Sequence, residues 1–339
     1  MEKNKRNIHF GFAILKCLLS FKVISTHCFN KNSSKNKIIN FITNDRRLHV
    51  PSFTIMSFIF NYNTLISYDT KKKMNRFERL LIPYLGWPII IYIFNKIFKF
   101  TSEFKNLFSF KQLIFQLITG QGQSILHFWY LFDLIATTFI FHIIIINFRK
   151  KYLLILNLLL IFSYFLQYSK YSKIMYFYTR KILGIARENE IIPFAIAGFT
   201  LNSFDIFHKL KRYKLNTLIF CSLIFYLTQD FEIFRKFFGV AYNGVKLNIL
   251  SICLVISFSF FSFKNIKNKK LLELLKFLTC FSGGVYYLHQ AVQFYFKFFI
   301  LDIKNGTFFG LIINYFISYL ISFIGGIFFR KSKVKNLFS

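Results

Sequence analysis

Lys16 and His27 stand eleven residues apart in residues 8–29, a run apolar enough to span a membrane. At about 100° per residue, eleven steps come to roughly three turns plus about 20°, so both side chains share one helical face. They are separated by about 17 Å of rise along it. A cation and an imidazole on one stripe of a membrane helix are costly to keep and point to a cavity or a partner. A neutral imidazole can take the proton from a hydroxyl, and a nearby cation can stabilise negative charge developing elsewhere. The plainer alternatives are a histidine hydrated at the membrane interface and a lysine that snorkels to water.

A second group of candidates is basic. Arg76 and Arg79 follow Lys71, Lys72 and Lys73 at the start of an apolar run. Guanidinium forks grip phosphates in bidentate fashion, although the same cluster also serves as an ordinary cytoplasmic anchor. A third group is polar and aromatic. His289 with Tyr286 and Tyr287 either lines a cavity or packs between helices. Trp129 and Tyr130, at a helix start, serve either an interfacial aromatic belt or acceptor stacking. The sequence carries no metal-ligand cluster, no phosphate-cradling Gly-rich loop and no Gly-x-Ser-x-Gly elbow.

The elements that must position these residues follow from composition. Of 339 residues, 55% are hydrophobic and 21% aromatic, with a mean hydropathy of +0.44, well beyond the usual soluble domain. Ten apolar runs have plausible spanning length, at 8–29, 48–68, 78–98, 125–147, 152–169, 190–207, 215–229, 247–263, 272–300 and 307–329. A dry bilayer obliges the backbone to satisfy itself, so each run is expected to be a helix. The expectation is an all-α polytopic membrane protein, one domain over 1–339, with about ten transmembrane helices in a single bundle. With the N-terminus inside, Lys and Arg make up about half of the inner segments and about a fifth of the outer ones, which places both termini in the cytoplasm.

The net charge of +32 therefore belongs to loops and topology, and nucleic acid is not expected as a partner. Cys17, Cys28, Cys221, Cys253 and Cys280 fall mostly in or beside apolar runs without a CxxC pair, and read as small hydrophobes. The first apolar run is too long for a signal-peptide core and is expected to be retained. Residues 99–124 and 170–189 form the largest outer loops and are expected to hold short amphipathic pieces. Asn32 and Asn305 begin glycosylation sequons in predicted outer loops, matches that chance readily supplies in an Asn-rich chain.

The Lys16-x10-His27 spacing resembles the first helix of the acyltransferase-3 family of membrane O-acyltransferases, which carries a basic residue, ten residues and a histidine. The stretch His49-Val-Pro-Ser-Phe-Thr-Ile-Met-Ser57 resembles that family's second helix. Arg76-Phe-Glu-Arg79 before Leu-Leu-Ile-Pro resembles its Arg-x-x-Arg entry to the third. His127-Phe-Trp-Tyr-Leu131 resembles the start of a later helix, and Tyr286-Tyr-Leu-His289 resembles the Tyr-Leu-x-His pattern near the end. Five motifs in order cover nearly the whole chain. Two positions depart from the pattern. Lys22 stands where an apolar residue is usual, with Asp133 in the fourth run as its expected partner. Phe58 stands after Ser57 where Gly is common.

The resemblance implies transfer of an acyl group, often acetyl from cytosolic acetyl-CoA, to a hydroxyl of a carbohydrate or lipid-linked glycan. No bound cofactor is implied, and acyl-CoA enters as co-substrate. His27 is the expected base and Lys16 its electrostatic partner, acting on the donor or on the tetrahedral intermediate. Arg76 and Arg79 are the expected acyl-CoA contacts, and Ser57, Trp129, Tyr286 and His289 are candidates to line the cavity. The expected location is the plasma membrane, or a secretory endomembrane in a eukaryote. The alternatives are a non-enzymatic exporter of polysaccharide or lipid, and an inactive relative serving as a membrane scaffold. An exporter would favour paired Gly- or Pro-broken helices, whereas the prolines stand near the starts of the runs or early within them.

Overall fold

The computed structural model describes residues 2–28, 48–98, 110–120, 129–148, 151–168, 188–230, 245–261, 270, 273, 282–299, 308–329 and 331–333. These residues form helices without a strand among them: α1 (Glu2–Cys28), α2 (His49–Ile66), α3 (Thr70–Phe98), α4 (Phe110–Thr119), α5 (Trp129–Asn147), α6 (Tyr152–Tyr168), α7 (Glu188–Ser203), α8 (Ile206–Lys211), α9 (Lys214–Asp230), α10 (Val245–Ser259), α11 (Ser282–Phe299) and α12 (Phe308–Phe328). Each of the ten apolar runs overlaps one of them, and the run 190–207 continues past the end of α7 at Ser203 into α8. Residues 272 and 274–281 of the ninth run, with Cys280, residues 170–187 of the second large loop, His127, Asn32 and Asn305 lie outside the described residues.

Among the described residues, three helical stretches are long and apolar enough to cross a membrane, by length and composition: Phe10–His27, Trp129–Asn147 and Phe309–Phe328. The distribution of side chains supports the same environment. Leu154, Leu158, Ile219, Phe220, Phe309 and Phe316 face outward, while Ser20, Ser52, Thr54, Asp133, Thr137, His289 and Ser318 are buried. Apolar residues outside and polar residues inside suit a hydrocarbon solvent, where hydroxyls return to their own helix or bind a neighbour.

Local sequence explains several boundaries. Asp69 accepts the Lys72 backbone N–H at 3.1 Å and caps α3, so that helix begins at Thr70, well ahead of the apolar run at 78. Pro83 and Pro88 consequently sit in the interior of α3, not near its start, and each removes one N–H from the helical ladder. Pro51, in the first turn of α2, costs no such bond. The α7–α8 junction bends at Asp205, whose φ of 51° is a left-handed conformation that Asp tolerates better than most residues. Within the 99–124 loop, α4 turns Phe110, Ile114 and Ile118 outward. It buries Leu113 inward, and its Leu117 carbonyl accepts the Tyr84 hydroxyl at 2.9 Å, so it is amphipathic as expected.

Small residues set the closest crossings. A Cβ built on Gly198 of α7 would overlap the Ile55 carbonyl oxygen of α2, and one on Gly11 of α1 would overlap the Phe258 carbonyl oxygen of α10. Only a residue without Cβ lets these backbones meet. Phe58 packs on Phe141 with centroids 4.7 Å apart, so the residue that departs from the family pattern fills the α2–α5 core. Cys221 of α9 and Cys253 of α10 place their thiols in mutual hydrogen-bond contact.

Helix α1 holds the centre. Val23 joins the core shared by α2, α3, α5, α6, α7 and α11. Phe12, Leu15 and Leu19 join the core of α2, α7, α8, α9 and α10, and Ile24 packs with α11 and α12. No other described helix contributes to all three clusters.

Candidate active site

Helix α1 is pinned at three heights. The Ser20 hydroxyl lies 2.9 Å from the Lys16 carbonyl and 2.8 Å from the Ser282 carbonyl at the start of α11. The Cys17 thiol meets the Tyr315 hydroxyl of α12 at 3.0 Å. Gln293 of α11 donates its side-chain N–H to the His27 carbonyl at 3.2 Å. These contacts fix the rotation of α1 and aim the His27 ring at α11. There it meets His289, with centroids 5.4 Å apart and planes tilted by 35°. His27 is half-buried and His289 fully buried.

His289 belongs to an aromatic chain running towards α3. Its Nδ1 lies 2.7 Å from the Tyr286 carbonyl, one helical turn back. The Tyr286 ring touches His289, Tyr287, Phe53 and Tyr130, at centroid distances of 6.1, 5.7, 5.5 and 5.7 Å. Tyr130 hydrogen-bonds the Thr54 hydroxyl and lies, like Tyr287, within electrostatic range of the Arg76 guanidinium. Arg76 Nη2 donates to Ser57 Oγ at 2.5 Å. Ser57, Arg76, Tyr130, Tyr286, Tyr287, His289 and His27 are thus neighbouring side chains contributed by α1, α2, α3, α5 and α11.

The two arginines take different positions. Arg76, two residues ahead of the apolar run, turns inward, and its buried Nε has no hydrogen-bond partner among the described residues. Burial lowers its guanidinium to about 10, and the neighbouring Arg79 adds repulsion, yet it keeps its charge at neutral pH. Arg79 is exposed. A buried guanidinium with a spare donor is suited to an incoming anionic or carbonyl oxygen.

The remaining candidates are more dispersed. Lys16 is half-buried on α1, and because the helix is unbroken it stays about 17 Å of rise from His27. A lysine side chain does not bridge that gap, so one reacting carbonyl cannot meet both residues. Trp129 is half-buried at the first position of α5, 6.3 Å from the Tyr130 ring. Lys22 is half-buried on α1 and Asp133 fully buried on α5. Gln293 and Thr54 escape a motif-based reading. Gln293 nevertheless continues the Tyr286–His289 face at helical spacing, which is a usable signal. Among the described residues no cluster of His, Cys, Asp or Glu has the makings of a metal site.

Apolar-faced helices enclosing hydroxyls, histidines and a buried guanidinium define an integral membrane protein with an internal polar site. A family model described as an acyltransferase domain matches residues 10–331, and the chain belongs to the acyltransferase-3 family. It is a membrane acyltransferase. No curated protein and no solved structure matches the chain.

Proposed function

We propose that the protein transfers an acetyl or other acyl group from acyl-CoA to a hydroxyl of a carbohydrate or lipid-linked glycan. The observation that supports this most directly is the His27 imidazole beside His289, on a helix whose His27 carbonyl is bound by Gln293, in a chain of this family. His27 acts as general base on the acceptor hydroxyl. The oxygen attacks the thioester carbon, the C–S bond breaks, and CoA leaves as the thiol.

Arg79, with Lys71, Lys72 and Lys73, takes the phosphates of CoA at the exposed entry of α3. Arg76 reaches inward towards the pantetheine or thioester end, and Ser57, Tyr286, His289 and Trp129 line the way. Lys16, too distant to share a carbonyl with His27, acts on the donor. The whole chain serves as one domain of about ten spans, with both termini cytoplasmic so that the basic face meets cytosolic acyl-CoA. The plasma membrane, or a secretory endomembrane, is its location.

The test is transfer of radiolabelled acetyl by the purified protein. Wild type is expected to label the acceptor, and His27→Ala to lose about 10²- to 10⁴-fold in rate while still gaining thermal stability from acetyl-CoA. Wild-type activity in a folded His27→Ala protein would defeat the mechanism.

A further inference from the structure

We propose that His289 is a second working imidazole of this site. It receives the proton that His27 removes from the acceptor hydroxyl and passes it to the departing CoA sulfur. The proposal rests on the acyltransferase reading above and extends it.

The hydrogen bond to Tyr286 decides the state of the ring. A carbonyl oxygen only accepts, so at 2.7 Å it is His289 Nδ1 that carries the hydrogen. In the neutral ring the basic lone pair is then on Nε2. With Nδ1–H held in that bond, proton traffic runs through Nε2. When Nε2 is protonated, the Tyr286 carbonyl faces an imidazolium, and the bond becomes charge-assisted and stronger. The backbone of α11 thus steadies the charged form, the service a carboxylate performs in other histidine pairs.

With centroids 5.4 Å apart, the two rings are near enough for an N–H···N bond or for one bridging water. The separation is held from both sides. Ser20 binds the Ser282 carbonyl below the pair, and Gln293 binds the His27 carbonyl beside it. His289 itself is 1% exposed, so bulk water does not compete for its proton.

The chemistry asks for such a partner. Acceptor hydroxyl and acyl thioester become acyl ester and free thiol, and one proton moves from oxygen to sulfur with no net gain or loss. Oxygen and sulfur flank the reacting carbon. Two fixed imidazoles serve both without the reorientation that one would need: His27 takes the proton at oxygen, and His289 returns it at sulfur.

The experiment uses the full-length protein and His289→Asn, whose amide N–H keeps the bond to the Tyr286 carbonyl while the Nε2 base is lost. With acetyl-CoA, kcat is expected to fall about 10²- to 10⁴-fold with little change in KM. With S-phenyl thioacetate, whose thiolate leaves without needing a proton, the loss is expected to shrink to within about tenfold. Near-wild-type rates with acetyl-CoA, or equal losses with both donors, overturn the proposal in favour of packing. If the Asn protein does not fold, His289→Gln is measured against the same two outcomes. A wild type that neither transfers acetyl nor gains thermal stability from acetyl-CoA defeats the acyltransferase reading itself, a result distinct from either of these.

Discussion

The split between Arg76 and Arg79 carries the sharpest consequence for single side chains. Arg79→Ala should raise the KM for acyl-CoA with kcat nearly unchanged, because an exposed charge contributes binding that is uniform between ground and transition state. Arg76→Gln should lower kcat as well, because its guanidinium lies on the path to the histidines. Steady-state kinetics with varied donor separates the two, and identical effects would place both at the phosphates. Lys22 and Asp133 invite a double-mutant cycle: Lys22→Leu and Asp133→Leu are each expected to reduce folded yield, with the double variant recovering it. A double variant as poor as either single removes the pairing. At this scale the sequence reading reached types and spacings only. Lys16 and His27 share a face because helical period dictates it. That Arg76 faces in and Arg79 out depends on Ser57 of another helix, which no local pattern encodes.

Among the helices, the two glycine crossings should be the least forgiving positions. Gly198→Ala drives a methyl into the Ile55 carbonyl, and Gly11→Ala drives one into the Phe258 carbonyl. Each should cost about 1–3 kcal/mol of stability, read as a lower thermal midpoint in detergent. The cap of α3 makes a prediction about pH. The Lys72 backbone N–H, with the Lys72 charge, holds the Asp69 carboxyl below its usual range. A depressed carboxylate lends its stability above its unfolded pKa and loses it as pH falls through the folded one. Hydrogen exchange in the first turn of α3, corrected for intrinsic rate, should therefore accelerate in acid, and Asp69→Ala should show the fast rate already at neutral pH. Within the described residues the apolar runs were legible as helices, because hydrocarbon permits little else. The start of α3 was not, because it is set by a capping carboxylate in a polar segment that hydropathy ignores. Pro83 and Pro88 were misplaced for the same reason.

For the whole molecule, the charge distribution makes orientation testable. A cysteine at Lys331 should react with a membrane-impermeant maleimide in inside-out vesicles and not in intact cells. The reverse pattern would invert the proposed topology. That residue lies two positions before Lys333, which pairs with Glu78 inside the Arg76-Phe-Glu-Arg79 motif at 2.8 Å, so the basic tail and that motif share one side.

The bonds that pin α1 also impose a timetable. Its partners Ser282, Gln293 and Tyr315 come 262, 266 and 298 residues after the α1 groups they bind. While the ribosome is still making those segments, a helix bearing Lys16, Lys22 and His27 waits among lipids or in the translocon without its mates. Chain synthesis runs at about 5–20 residues per second, so the wait lasts on the order of tens of seconds. For that interval α1 lacks the bonds that pin it in the bundle. A slowed translation of the segment before α11 should expose it to quality-control proteases long before any catalytic defect could be observed.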